Sequence, residues 1–150
     1  MITDAFLQLS SAQAVTATAV STNTIDLSQA RDIGPGQDMY VHFTVDVAAT
    51  AAGAATVNFQ VISSAAAALT SPTILVQSDA IGKAELTAGR RPITLEIPAT
   101  VLAAQPIGQR YLGVQYTVGT GPLTAGSFSA VLTDAKVDSG KNYPSGFTVA

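Results

Sequence analysis

Residues 39–47 read Met-Tyr-Val-His-Phe-Thr-Val-Asp-Val. Met39, Val41, Phe43, Val45 and Val47 alternate with Tyr40, His42, Thr44 and Asp46. A helix brings side chains back to one face every three or four residues and would scatter this pattern, whereas a strand sends every second residue to the same side. The stretch therefore predicts a strand with its odd-numbered face on a core and its even-numbered face wetted. That apolar face must be covered by another layer, so the remaining strands are expected to arrange themselves around this one.

Similar patterns recur along the chain. Ala14–Val20 and Thr24–Leu27 read as strands, the latter with Ile25 and Leu27 on one face. Val57–Ile62 places Val57, Phe59 and Val61 inward, and its spacing makes it the expected hairpin partner of the 39–47 strand. Thr73–Gln77 follows, then Ile93–Ile97 with Ile93, Leu95 and Ile97 inward, closed by Pro98. Tyr111–Val118 puts Leu112, Val114, Tyr116 and Val118 on one side, and Ser127–Ala135 puts Phe128, Ala130 and Leu132 there. Between them lie Gly- and Pro-containing turns at Arg31–Asp38, Ala88–Pro92 and Gly119–Gly126, where glycine supplies positive φ and proline fixes φ. A short strand is expected near Ala84–Leu86, and helical turns are possible only in Ser63–Ser71 and Ala99–Pro106.

About eight strands with no convincing helix point to an all-β fold. The expected architecture is an antiparallel jelly-roll sandwich, with an immunoglobulin-like sandwich as the alternative. Strand order is left open. The expected division is an N-terminal arm over 1–12, a β-sandwich domain over 13–137 and a C-terminal tail over 138–150.

Bulk properties narrow the function classes. Charged residues are 11% of the chain, against about 25% in an ordinary soluble domain, so Thr, Ser, Gln, Asn and Ala must cover the wetted faces. Such a surface suits a protein largely covered by partners. A net charge of −3, with no basic cluster beyond Arg90-Arg91, argues against nucleic acid as a partner. Cysteine is absent, which excludes disulfides, thiolate chemistry and Cys-based metal sites. The opening MITDAFLQLSSAQA has no basic region and carries Asp4, so it does not read as a signal peptide. No uncharged apolar run reaches the ~18 residues of a membrane span, so no membrane partner is expected.

Catalytic chemistry finds little to stand on. His42 is the only histidine, and Asp46 is the nearest carboxylate on its face. A general base or metal ligand needs partners that this spacing does not supply, so His42 reads as a surface or interface residue. Asp134, Asp138, Ser139 and Asn142 offer oxygen donors, but without the calcium-loop spacing or its closing glutamate. The clusters Gly34-Pro35-Gly36 and Gly119-Thr120-Gly121-Pro122 lack the Lys-Ser/Thr pair of a phosphate loop. Arg90-Arg91 reads as a solvated turn. The expectation is no enzyme, no catalytic or metal residues and no cofactor. The candidate contacts are instead at the ends. Ile2, Phe6, Leu7 and Leu9 form an apolar arm, Tyr143 and Phe147 an aromatic anchor in the tail, and the loop holding Arg31 and Asp32 a third point. Apolar groups in terminal segments that would otherwise fray suggest docking on the chain's own core or on a neighbour.

Several pieces resemble the cement, or decoration, proteins of tailed-bacteriophage capsids. They are Ser21–Leu27 (STNTIDL), Arg31–Gly36 (RDIGPG) with the strand after it, Arg110–Tyr116 (RYLGVQY) and Asn142–Phe147 (NYPSGF). The likeness spans nearly the whole chain, although its motifs are strands and turns rather than chemical signatures. The resemblance implies a jelly-roll protein that forms a homotrimer on the outer surface of the virion capsid. It would sit at or near three-fold positions and staple neighbouring major capsid protein subunits against internal DNA pressure. The competing expectation is a carbohydrate-binding or adhesion module, for which Tyr40 and Tyr111 are the candidate platform residues. The absence of Trp and the dispersal of the tyrosines weigh against it.

Overall fold

A computed structural model describes residues 4–28, 38–104 and 108–134. The strands are β1 (Gln8–Ala14), β2 (Ala19–Val20), β3 (Ile25–Asp26), β4 (Met39–Thr50), β5 (Thr56–Ser64), β6 (Thr73–Gln77), β7 (Ile81–Gly82), β8 (Ile93–Ile97), β9 (Tyr111–Gly119) and β10 (Ala125–Thr133). One short helix, α1 (Ala99–Ala103), and 3-10 turns at Ala5–Leu7 and Lys83–Glu85 complete the described elements. The turn at Lys83–Glu85 stands where the sequence suggests a strand.

Two antiparallel sheets pack face to face. The first runs β1-β10-β4-β8. The second runs β2-β9-β5-β6, with β3 also on β9 and β7 also on β5. The all-β antiparallel sandwich expected from the alternation is therefore present. The inner faces interlock through four rings. Phe43 and Phe128 come from the first sheet and Phe59 and Tyr116 from the second, all at 0% exposure. Phe43 lies 5.2 Å from Phe59, and Phe128 lies 5.3 Å from Phe59 and 5.4 Å from Tyr116. The Phe59 rings meet their neighbours tilted or edge-on, the arrangement aromatic quadrupoles favour. Tyr116 brings a hydroxyl into this core, and Ser10 satisfies it with a hydrogen bond.

Several expectations are corrected. β5 is not the hairpin partner of β4: β4 pairs with β10 and β8, while β5 pairs with β9, β6 and β7 in the opposite sheet. Ala14–Val20 is not one strand, because β1 ends at Ala14 and β2 begins at Ala19. The N-terminal arm does not extend to residue 12, because the sheet already starts at Gln8.

Val47 is 52% exposed rather than inward. Val45 faces Phe128 and Val47 faces Ser127, so β4 carries an extra residue at Asp46, and this bulge breaks the alternation. His42, expected on a wetted face, is only 2% exposed.

Candidate interaction surface

Asp4 organises the N-terminal turn. Its carboxylate accepts from the Phe6 N–H at 2.9 Å and its carbonyl from the Leu7 N–H at 3.0 Å. The first bond satisfies a donor that the start of a helical turn otherwise leaves open, and the second closes the turn itself. The turn lays Leu7 partly buried against the core and leaves Phe6 79% exposed. Leu9, two residues on, is fully buried.

The described arm residues thus separate, and of Phe6, Leu7 and Leu9 only Phe6 is wholly at the surface. Leu9 was expected as a contact residue, but it belongs to the core because a register shift between Gln8 and Ser10 turns Leu9 and Ser10 together toward the opposite sheet. Ile2, Arg31, Asp32, Tyr143 and Phe147 lie outside the described residues. Val47 and Ile74 (48% exposed) join Phe6 as exposed large apolar side chains. Ile74 was legible as an apolar strand residue, but its exposure follows from β6 lying at a sheet edge.

The groups that could carry chemistry are held in structural roles. His42 Nδ1 and Thr94 Oγ1 share a hydrogen bond of 2.8 Å across β4 and β8. Asp46 accepts from Ser129 Oγ at 2.6 Å, and Ser129 Oγ accepts from the Ala12 N–H at 2.8 Å, so this carboxylate braces β1, β10 and β4 together. Among the described residues no three His, Cys, Asp or Glu side chains gather as a metal site. Residues 135–142 of the candidate calcium loop lie outside the description.

Tyr40 pairs with Thr133 and Glu96 in the first sheet, beside the inward Val41, whereas Tyr111 is next to the inward Leu112 in the second. The two tyrosines therefore sit on opposite outer faces and form no shared platform. Burial, helped by the nearby Glu96 and Asp38 charges, raises the Tyr40 hydroxyl above its ordinary pKa. Arg90 is tied to the Glu85 carbonyl at 2.8 Å.

Asp26 and Arg110 form a two-pronged ion pair at one end of the second sheet, with Nε to Oδ1 at 2.8 Å, and the guanidinium lies 5.1 Å from the Tyr111 ring centre. The hydrogen bond from Arg110 holds the Asp26 carboxyl well below the usual carboxylate range.

The two rims of the sandwich differ. At one, β1 faces the 20–23 segment that follows β2, and side chains close the gap. Gln13 donates to the Val20 carbonyl at 2.7 Å and accepts from the Thr22 N–H at 3.1 Å. Asn23 donates from its side chain to the Gln8 carbonyl at 3.1 Å and from its backbone to the Leu9 carbonyl at 2.9 Å. At the other rim β6 and β8 run close together, and among the described residues no hydrogen bond joins them. Among the described residues β6 and β8 are the last strands of their sheets on this side.

Among the described residues no helix is long and apolar enough to cross a membrane. No curated protein matches the chain. The family model of Bbp16 matches residues 9–132, from the first core residue of β1 through the end of the inward run of β10, and so takes in both sheets. By that match, over most of its length, the chain belongs to the phage-associated Bbp16 family.

Proposed function

We propose that this chain is a structural virion protein that binds the outer surface of a phage capsid and holds neighbouring major capsid protein subunits together. The observation that carries the reading is membership of a phage-associated family across residues 9–132. Three further features support it. The strand order, β1-β10-β4-β8 over β2/β3-β9-β5-β6, reads as a jelly roll when β2 and β3 count as one position. The surface is poor in charge, with 11% charged residues in the chain. Phe6 is presented on an Asp4-capped turn, so an anchor there would lose little conformational freedom on docking.

The resemblance implies three copies at or near each capsid three-fold position. The mechanism needs only that joined copies present more than one docking point. Once one point is bound, the next binds at an effective concentration on the order of millimolar, so weak contacts sum to a tight clamp.

The test is co-sedimentation of the purified chain with expanded shells of the major capsid protein from the same phage, together with the shells' thermal disruption. Binding that raises the disruption temperature is expected, with Phe6→Ala binding more weakly while keeping its fold. Shells that neither bind the chain nor gain stability would refute the reading.

A further inference from the structure

We infer that the C-terminal segment 135–150 docks across the outer face of the first sheet as a strap and buries His42 there. This concerns contacts within one chain and is independent of the capsid reading.

The first observation is a buried imidazole on an outward face. β4 keeps unbroken register with β8 from Met39–Ile97 to Phe43–Ile93, and with β10 from Tyr40–Thr133 to Val45–Phe128. Alternation is therefore strict here. With Val41 and Phe43 in the core, His42 points away from it, yet it is only 2% exposed. Its neighbours on that face stand beside it in the same sheet. Thr44, Thr94 and Val131 are shorter than an imidazole, and Glu96 is exposed. Side chains stand roughly upright on a sheet, so such neighbours shade the flanks of the ring, and a layer above must shut its top from water.

The second sheet shows such a layer. Ile62 points outward from β5 and is fully buried, and Leu69 folds back over Gly113, the residue paired with Ile62, to supply the cover. No described segment does the same for His42. In the Ala5–Leu7 turn Phe6 is exposed and Leu7 packs on the core, and Leu102 of α1 packs on the core as well.

The second observation is which part of the chain can reach. His42 is buried within a single chain, so its cover belongs to that chain. Thr133, near the end of the described part, pairs with Tyr40, which lies about 7 Å along β4 from His42. From Asp134 the segment 135–150 extends up to ~50 Å, and it carries Val137, Tyr143, Phe147 and Val149. The competing stretch, 29–37, has Ile33 as its one large apolar residue, and Asp38 at its far end is tied to the Ala99 N–H. Charge agrees with the choice. β4, β8 and β10 hold Asp46 and Glu96 but no lysine or arginine, whereas 135–150 brings Lys136 and Lys141 against Asp138.

His42 is the chain's only histidine and cysteine is absent, so both probes of the test are site-specific. The first measurement is the rate at which diethyl pyrocarbonate acylates the imidazole in the full chain, read by mass. The folded parent should react far more slowly than the chain in urea. Tyr143→Ser/Phe147→Ser removes the aromatic anchors and should speed the reaction ~10-fold or more, with thermal unfolding showing that the sandwich persists. The second measurement leaves those anchors in place. A nitroxide on Ser145→Cys should broaden the His42 ring-proton signals, and the same label on the exposed Thr22→Cys, at the far rim, should broaden them less. A parent imidazole as reactive as in urea, a folded double variant as protected as the parent, or ring signals untouched by the label at position 145 would overturn the inference.

Discussion

Gly113 carries a prediction that tests how the 65–71 segment is attached. This segment leaves β5 and folds back over the outer face of the second sheet. Ser64 Oγ donates to the Thr70 carbonyl at 2.8 Å and accepts from the Ala66 N–H at 3.1 Å. Leu69, at φ 52°, turns its side chain onto the sheet, where it and Ile62 are buried apart from the main core. The site under Leu69 exists because residue 113 has no side chain. A Cβ there would overlap Leu69 Cδ1 and lie 3.0 Å from Ser21 Oγ, which is itself fixed by donating to the Asn23 carbonyl and accepting from the Val114 N–H.

In Gly113→Ala, the end of the Leu69 side chain must therefore shift off residue 113. If that shift costs Leu69 its burial, the loss is at most about 1.5–3 kcal/mol. The smaller backbone entropy of alanine in the unfolded chain offsets ~0.5–1 kcal/mol of that. A net loss of up to ~0.5–2.5 kcal/mol lowers Tm by up to ~1–10 °C at this chain length. Urea unfolding of Gly113→Ala, Leu69→Ala and the double variant checks the cause. With Leu69 shortened, the methyl introduced at position 113 occupies vacated space, so the double variant costs less than the sum by at least ~0.5 kcal/mol. Strict additivity, or an unperturbed Gly113→Ala, would refute the reasoning.

Two contrasts test other parts of the structure. Leu9→Ala removes a fully buried side chain and should cost ~2–5 kcal/mol in urea unfolding, whereas Phe6→Ala, on the surface, should stay within ~0.5 kcal/mol of the parent. Equal effects would show that the arm boundary is misplaced. The Asp26–Arg110 pair should appear in the acid limb of stability. The Asp26 carboxyl is depressed in the folded chain, so its contribution is complete above the unfolded carboxylate pKa of ~3.9 and is lost as pH falls toward the folded value. The stability gap between Asp26→Asn and the parent should therefore narrow below about pH 4, and a gap that widens there would contradict the assignment.

Alternation made the interior legible wherever a strand ran without interruption. The inward sets of β5, β9 and β10 follow directly from residues such as Phe59, Tyr116 and Phe128, each flanked by polar neighbours. It failed where one extra residue entered the ladder. At Asp46 the bulge sends Val47 outward, and at Leu9–Ser10 it turns two successive side chains inward. Nothing in a single strand's composition marks such positions, since a bulge is a property of the pair. The arm was misread for the same reason. Leu9 looks like the last of a run of apolar residues in a loose end until the register of β1 against β10 is known.

The strand order was hidden by a related gap. Period-two spacing says which residues share a face, and it says nothing about which strands share a sheet. β4 and β5 are consecutive and suited to a hairpin, yet side by side they would spread their apolar residues over one continuous surface. That surface would have needed cover from weaker strands. Crossing between sheets through Ala51–Ala55, whose side chains are no larger than methyl, sets Met39, Val41, Phe43 and Val45 against Val57, Phe59 and Val61. The Phe43 and Phe59 rings then meet at 5.2 Å. Once β5 crosses, one side of β4 is left for a short strand from later in the chain, and β8 takes that position. The same packing choice that sets the β4 and β5 rings against each other thus decides which strands share a sheet, and no single strand's alternation carries that choice.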